Sequence, residues 1–243
     1  MTQNTLSLEA PPIGKDQSST IKKSAIWLLT LEALLLFIPL IVLGRAINWP
    51  ASLDEPASVN LPLILEQFPA MFTGYSVYLI YSLLFWPMAL VAGRAIFESS
   101  DNFMLQIANG VAVLSAFARA LGIVRWLFAM PVLATIYVDP GSSAELKESI
   151  SVVYEMLNAY AGGIGEILGV NFFAAIWLTI MSIVMLRSAR WPKWLPALGM
   201  VAAISLFINV INVVGIDTGF NITLSVTLFH FWMLGTAIIL YRE

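Results

Sequence analysis

The chain contains no cysteine and a single histidine, His230. Without thiols there are no disulfides, no thiolate metal sites and no cysteine nucleophile, and cysteine usage says nothing about redox compartment. One histidine excludes His-x-x-x-His and His-Glu-x-x-His zinc spacing, and a haem held between two histidines of one chain. Charge is also scarce: Asp, Glu, Lys and Arg make up 11% of the residues and the net charge is −3. No basic stripe exists to neutralise phosphates, so no nucleic-acid partner is expected. Gly-x-Ser-x-Gly is missing too, and with no metal or cofactor set in view the composition points away from an enzyme.

What is there is apolar. Of 243 residues, 59% are hydrophobic, against roughly 45–50% apolar and 25% charged in soluble domains. A hydrocarbon layer about 30 Å thick takes about 20 residues of helix at about 1.5 Å each, and the chain holds six runs of that size. The expected fold is all-α: a polytopic membrane protein, a bundle of six transmembrane helices with cytoplasmic N- and C-termini, and the lipid bilayer is its first partner.

Residues 1–20 are polar, with Pro11, Pro12 and Gly14, and read as a disordered cytoplasmic tail; residues 21–243 form the membrane domain. The spans are placed at about 24–47, 70–93, 103–130, 155–186, 194–216 and 219–241. Between the first two lies the longest loop, about 48–69, with four prolines; its Leu61–Phe68 piece is expected to lie on the membrane surface as a short turn of helix. Span 2 carries Pro87, a kink site. The apolar run from Phe103 to Val138 would measure about 54 Å as one helix, so it must tilt, kink at Pro131 or leave the lipid early. Ser143-Ala144-Glu145-Leu146 reads as a capped helix start whose first turns project beyond the lipid. Asp217-Thr218-Gly219 is a very short turn.

Orientation follows from Lys and Arg. With both termini inside, Lys15, Lys22, Lys23, Arg94, Arg187, Arg190, Lys193 and Arg242 are cytoplasmic, and only Arg45 and Lys147 are external. That bias sets the topology.

Arg119 and Arg125 fall inside the third span, where each guanidinium costs roughly 2.5–3.5 kcal/mol on insertion scales. Something must compensate them. Ala108, Ala112, Ala116 and Ala120 recur every four residues, as do Ala161, Gly165 and Gly169, so spans 3 and 4 should pack closely through small residues. With a turn near Ser142, Arg119 faces about position 167, and an Arg119–Glu166 pair is the first expectation. Arg125 would then snorkel or reach Glu155 or Asn158. The alternative to a proton or anion site is an ion pair that only fixes register. Glu32, about 12 Å into span 1, and His230, midway along span 6, are isolated titratable groups; each is a relay candidate or a hydrogen-bonded bundle residue. Asn209 and Asn212, at i and i+3 on span 5, read as interhelical glue or as part of a site. Arg119, Arg125, Asn158, Glu166, Asn171, Asn209 and Asn212 all fall in the outer half of their spans, so one polar pocket opening outward is the economical reading.

Six spans are shared with rhomboid proteases, but no Gly-x-Ser-Gly precedes His230. Arg125-Trp126 followed by Pro131, Gly165-Glu166-Ile167-Leu168-Gly169, Trp177-Leu178 and Pro192-Lys193-Trp194-Leu195 with Leu198-Gly199 resemble an uncharacterised bacterial membrane family, domain of unknown function 4386, over about Asn102–Tyr241. The resemblance implies a multi-pass protein of the bacterial cytoplasmic membrane and supplies no activity. The leading functional expectation is an outward-facing polar pocket for a small solute, ion or lipid. The alternative is a structural or regulatory subunit that binds partner helices, or a second copy of itself, through its small-residue stripes.

Overall fold

Proline positions decide where this helical chain breaks. The computed structural model describes residues 15–97, 102–216, 218–219 and 221–243. Helix α1, Lys15–Leu35, and α2, Phe37–Ile47, are separated at Leu36. Pro39 has no N–H and its ring crowds the carbonyl four residues back, on Leu35, where α1 ends. Residues 15–20, expected in an unstructured tail, are helical, because a helix nucleated by an apolar run extends into polar sequence at little cost. Residues 1–14 lie outside the described residues.

The first loop is largely folded. A 3-10 turn, Ala51–Asp54, leads to helix α3, Ala57–Glu66, which starts four residues before the expected surface helix. Pro56, extended at φ −68° and ψ 164°, marks that start. Helix α3 packs on α6 and α7, defined below, and does not stand free as a surface turn.

Helix α4, Phe68–Phe97, continues through Pro87. Helix α5, Phe103–Val124, opens on Asn102, whose Oδ1 accepts the Met104 N–H at 2.9 Å. It passes into a π-helical turn, Arg125–Ala129, and then α6, Met130–Val138. Pro131 cannot donate to the carbonyl four residues back, and the wider turn absorbs that missing bond. Ser143 caps α7, Ala144–Gly162, as expected, by accepting the Leu146 N–H. A longer π-helical stretch, Gly163–Phe173, joins α7 to α8, Ala174–Arg187. Helix α9, Trp194–Asn209, ends in a 3-10 turn, and α10, Asn221–Arg242, completes the chain. Asp217 of the expected turn lies outside the described residues.

Six stretches are long and apolar enough to cross a membrane: Gln17–Ile47, Phe68–Phe97, Phe103–Val138, Ala144–Arg187, Trp194–Val214 and Asn221–Arg242, hereafter spans 1 to 6. Only 33–50% of their most apolar windows is buried against protein. The remaining apolar surface, with Phe37, Ile80, Trp86, Phe117 and Phe231 turned outward, needs lipid to cover it. The chain is therefore a multi-pass membrane protein. No strand occurs among the described residues.

Each span packs on the next, and span 6 closes back on span 1. Trp177 of span 4 reaches the centre of this ring, 5.6 Å from Phe85 of span 2 and 5.6 Å from Trp232 of span 6. The start of span 1 and the end of span 6 share one face: Arg190 forms a two-point ion pair with Glu243 and donates to the Ala95 carbonyl, and Lys22 lies 3.9 Å from Glu243. On the opposite face α3 and α6 cover a second apolar core around Leu61, Ile64, Trp126 and Tyr154.

The small-residue seam joins spans 3 and 4 as expected. A Cβ on Gly165 would sit 2.9 Å from the Gly122 Cα, and one on Gly169 would sit 2.8 Å from the Arg119 backbone nitrogen. Ala108, Ala112 and Ala116 are buried. The Ser115 Oγ donates to the Gly169 carbonyl at 2.7 Å across the seam.

Candidate functional site

The close seam sets the depth of every charged group on spans 3 and 4. Arg119 lies opposite Gly169, two residues from the position expected. Even so, its partner is not Glu166. The Glu166 carboxylate lies 4.0 Å from Arg125 instead. Helical side chains lean toward the N-terminus of their own helix. In this antiparallel pair, Arg125 leans to the level of Gly122 and Glu166 leans to the level of Gly162, so the two meet. Arg119 leans in the same direction as Arg125, toward Ser115, and so away from Glu166, which leans toward Gly162.

Arg125 is fixed from three sides. Its Nη1 donates to the Gly122 carbonyl at 2.7 Å, and its Cζ stands 5.2 Å from the Trp126 ring, which stacks on Tyr75 at 5.2 Å and 2°. A Cβ on Gly162 would come within 3.4 Å of Nη2, so glycine makes room for the guanidinium. The ion pair is unequal: the Arg125 side chain is 6% exposed and that of Glu166 is 48% exposed. Both partners stand in π-helical segments, which recur at functional positions because the wider turn re-aims side chains.

Asn158 makes no hydrogen bond to this pair among the described residues. Its Nδ2 donates to the Leu53 carbonyl at 2.8 Å, and with Tyr154 and Asn60 it ties the folded first loop to α7. Asn60 donates to the Tyr154 hydroxyl at 2.6 Å, and that hydroxyl donates to the Glu55 carbonyl at 3.2 Å. Arg125 does not reach Glu155 or Asn158 in the manner expected from sequence.

Asn171 and Asn209 form a separate network. The Asn209 Nδ2 donates to the Asn171 Oδ1 and the Ser225 Oγ, each at 3.0 Å. Its Oδ1 accepts from Asn221 Nδ2 at 2.6 Å and from Thr218 Oγ1 at 3.1 Å. All four capacities of the amide are used, so Asn209 joins spans 4, 5 and 6. Asn212 accepts the Thr218 N–H and shapes the turn into span 6. The seven polar positions expected to line one pocket thus divide into four groups: Arg125 with Glu166, Asn158 with the first loop, the three asparagines Asn171, Asn209 and Asn212, and Arg119 apart from all of them.

Glu32 and His230 are not isolated. Arg119 is 4% exposed, with its Cζ 4.2 Å over the Phe85 ring. Its guanidinium lies near the Tyr81 hydroxyl and acts electrostatically on both Glu32 and His230. The Tyr81 ring stacks on His230 at 6.2 Å and on Tyr78 at 5.9 Å. Tyr78 in turn stands between the two charge groups, within the fields of Glu166, Arg119 and Arg125. Glu32 is 0% exposed, and among the described residues neither of its carboxyl oxygens has a hydrogen-bond partner; the Arg119 Nε and the His230 Nε2 are also unpartnered there. Such groups are uncommon in folded interiors and mark places where water, an ion or chemistry belongs. Tyr75, Tyr78, Tyr81 and Ser82 were passed over in the sequence, although their three-to-four-residue spacing places them along one side of span 2.

A ring of six spans with ionisable side chains held inside it defines an α-helical integral membrane protein with a candidate intramembrane site. Its residues 25–239 match the family model described as Domain of unknown function (DUF4386), and the chain belongs to that family. The match takes in spans 1 and 2, which the motif resemblance did not reach. No curated protein and no solved structure matches the chain.

Proposed function

We propose that this protein binds a small polar solute or ion in a crevice between spans 2, 3 and 4, opening toward the external side in the orientation given by the lysine and arginine bias. The observation that carries the reading is the half-exposed Glu166 carboxylate. It lies near the middle of span 4 and pairs with a buried arginine, and Tyr75 and Tyr78 of span 2 feel its charge across the bundle. A carboxylate so placed faces interior space that water can enter, because facing lipid would cost several kcal/mol. Arg125, Glu166 and the Tyr78 hydroxyl then offer one cation, one anion and one neutral hydrogen-bonding group to an occupant. The reading of the chain as a partner-helix subunit loses its main support, since the stripes at Ala108–Ala116 and Gly165–Gly169 are consumed within the chain.

The absence of cysteine makes the test direct. Single Glu166→Cys and Tyr78→Cys variants should react with a charged, membrane-impermeant thiol reagent in sealed vesicles. Leu168→Cys and Phe117→Cys, on outward-facing neighbours that are 43% and 61% exposed, should not. Equal labelling at all four positions, or none at 166 and 78, would rule the crevice out.

A further inference from the structure

We infer that Glu32, Tyr81, Arg119 and His230 form an intramembrane proton-binding site, distinct from the Arg125–Glu166 crevice and independent of whether that crevice holds a solute. The inference rests on geometry. Glu32 is completely buried in span 1 with two unpartnered oxygens. A buried carboxyl kept only for structure would be expected to hold at least one hydrogen bond, since an unmade one is costly.

His230 supplies the second half. Its Nδ1 lies 2.7 Å from the Val226 carbonyl, and a carbonyl can only accept. Nδ1 therefore carries the hydrogen, and the neutral ring keeps its lone pair on Nε2, which is unpartnered. The site thus contains a carboxyl that can release a proton and an imidazole nitrogen that can take one. Arg119 supplies a fixed positive charge that answers the carboxylate, and Tyr81, stacked on His230 and in the field of Glu32, places a hydroxyl beside the guanidinium. The charged and titratable groups near Glu32 are Arg119 and Tyr81; both also neighbour His230, and Tyr78 stands one ring further along span 2. No redox partner is needed: Glu32 passes between carboxylic acid and carboxylate, and the proton leaves or arrives through water or the open His230 nitrogen.

Infrared difference spectroscopy of the purified full-length protein in lipid nanodiscs, titrated with pH, reads the carboxyl directly. The wild type should show a titrating carboxylic-acid C=O band at the high frequency of a carboxyl without hydrogen bonds, apart from the bands of the other Asp and Glu side chains. Glu32→Gln should abolish it, Glu166→Gln should keep it, and Glu32→Asp, which retains a carboxyl if the amide variant does not fold, should move its frequency. His230→Asn keeps the donor to Val226 and removes the open nitrogen, so it should shift the midpoint of the band. A wild type without that high-frequency band, or such a band that survives Glu32→Gln, overturns the site. A midpoint unmoved by His230→Asn overturns the part assigned to histidine, which a purely structural ring would also leave unmoved.

Discussion

Spans 3 and 4 offer two arginines and one carboxylate, and a double-mutant cycle decides which arginine the carboxylate serves. The separation of 4.0 Å between Arg125 Nη2 and Glu166 Oε1 corresponds to about 4 kcal/mol of attraction at an effective dielectric of about 20, and to about 1 kcal/mol in bulk water. The Arg125 side chain is 6% exposed and that of Glu166 is 48% exposed, so the coupling belongs between these limits, at about 1–2 kcal/mol. It should stay below the 3–5 kcal/mol typical of breaking a completely buried pair. The two single changes are expected to differ. Glu166→Gln leaves a buried cation with one carbonyl and one ring face, whereas Arg125→Met leaves a carboxylate that water still reaches. Unfolding in mixed micelles, followed by helical signal, gives the four free energies. The Arg125→Met/Glu166→Gln cycle should show coupling above about 1 kcal/mol, and an Arg119→Met/Glu166→Gln cycle should be additive within about 0.5 kcal/mol. The reverse pattern would refute the pairing and, with it, the account of side-chain direction.

Three further outcomes follow from the packing and the charge distribution. Gly165→Ala drives a methyl to 2.9 Å from the Gly122 Cα and should cost about 1–3 kcal/mol, while Gly163→Ala, with nothing within 4 Å, should be neutral or slightly stabilising; equal melting temperatures for the two would contradict the seam. Tyr154→Phe removes the acceptor of the Asn60 amide and the donor to Glu55, and should cost about 0.5–1.5 kcal/mol and speed amide exchange across Ala51–Glu66 while leaving span 5 unchanged. A compartment reporter after Glu243 should read cytoplasmic and one within the 54–60 loop external; matching compartments would remove the odd number of crossings between them.

The six spans, their order and the close approach of spans 3 and 4 were legible because they rest on simple signals: runs of apolar residues, four-residue spacing of Ala and Gly, and a Ser143 cap. The folded first loop was not. Its four prolines suggest open coil, and what folds it is long-range: Asn60 and Asn158 are matched with residues 94 and 105 positions away, a separation no local pattern records. The same holds for the Glu32 cluster. Its members come from spans 1, 2, 3 and 6, and each looks solitary within its own helix. Only closure of span 6 onto span 1, a feature of topology, puts His230 and Glu32 into the surroundings of one arginine.

The mistaken Arg119–Glu166 pair is more instructive, because its depth estimate was nearly right. Matching Cα levels treats a side chain as a point, yet an arginine reaches more than a helical turn from its own Cα. The reach is directional, toward its helix's N-terminus. In an antiparallel pair this makes charges meet when each is placed C-terminal to the other's level, as Arg125 and Glu166 are. Charges at equal level on such a pair diverge. Arg119 accordingly leaves span 4 and finds Phe85 on span 2, where the same lean carries it toward the level of Glu32. The rule that separates Arg119 from Glu166 thus also places it where the buried Glu32 carboxyl has no other cation near it among the described residues, and two charge groups one to two turns apart become two sites rather than one.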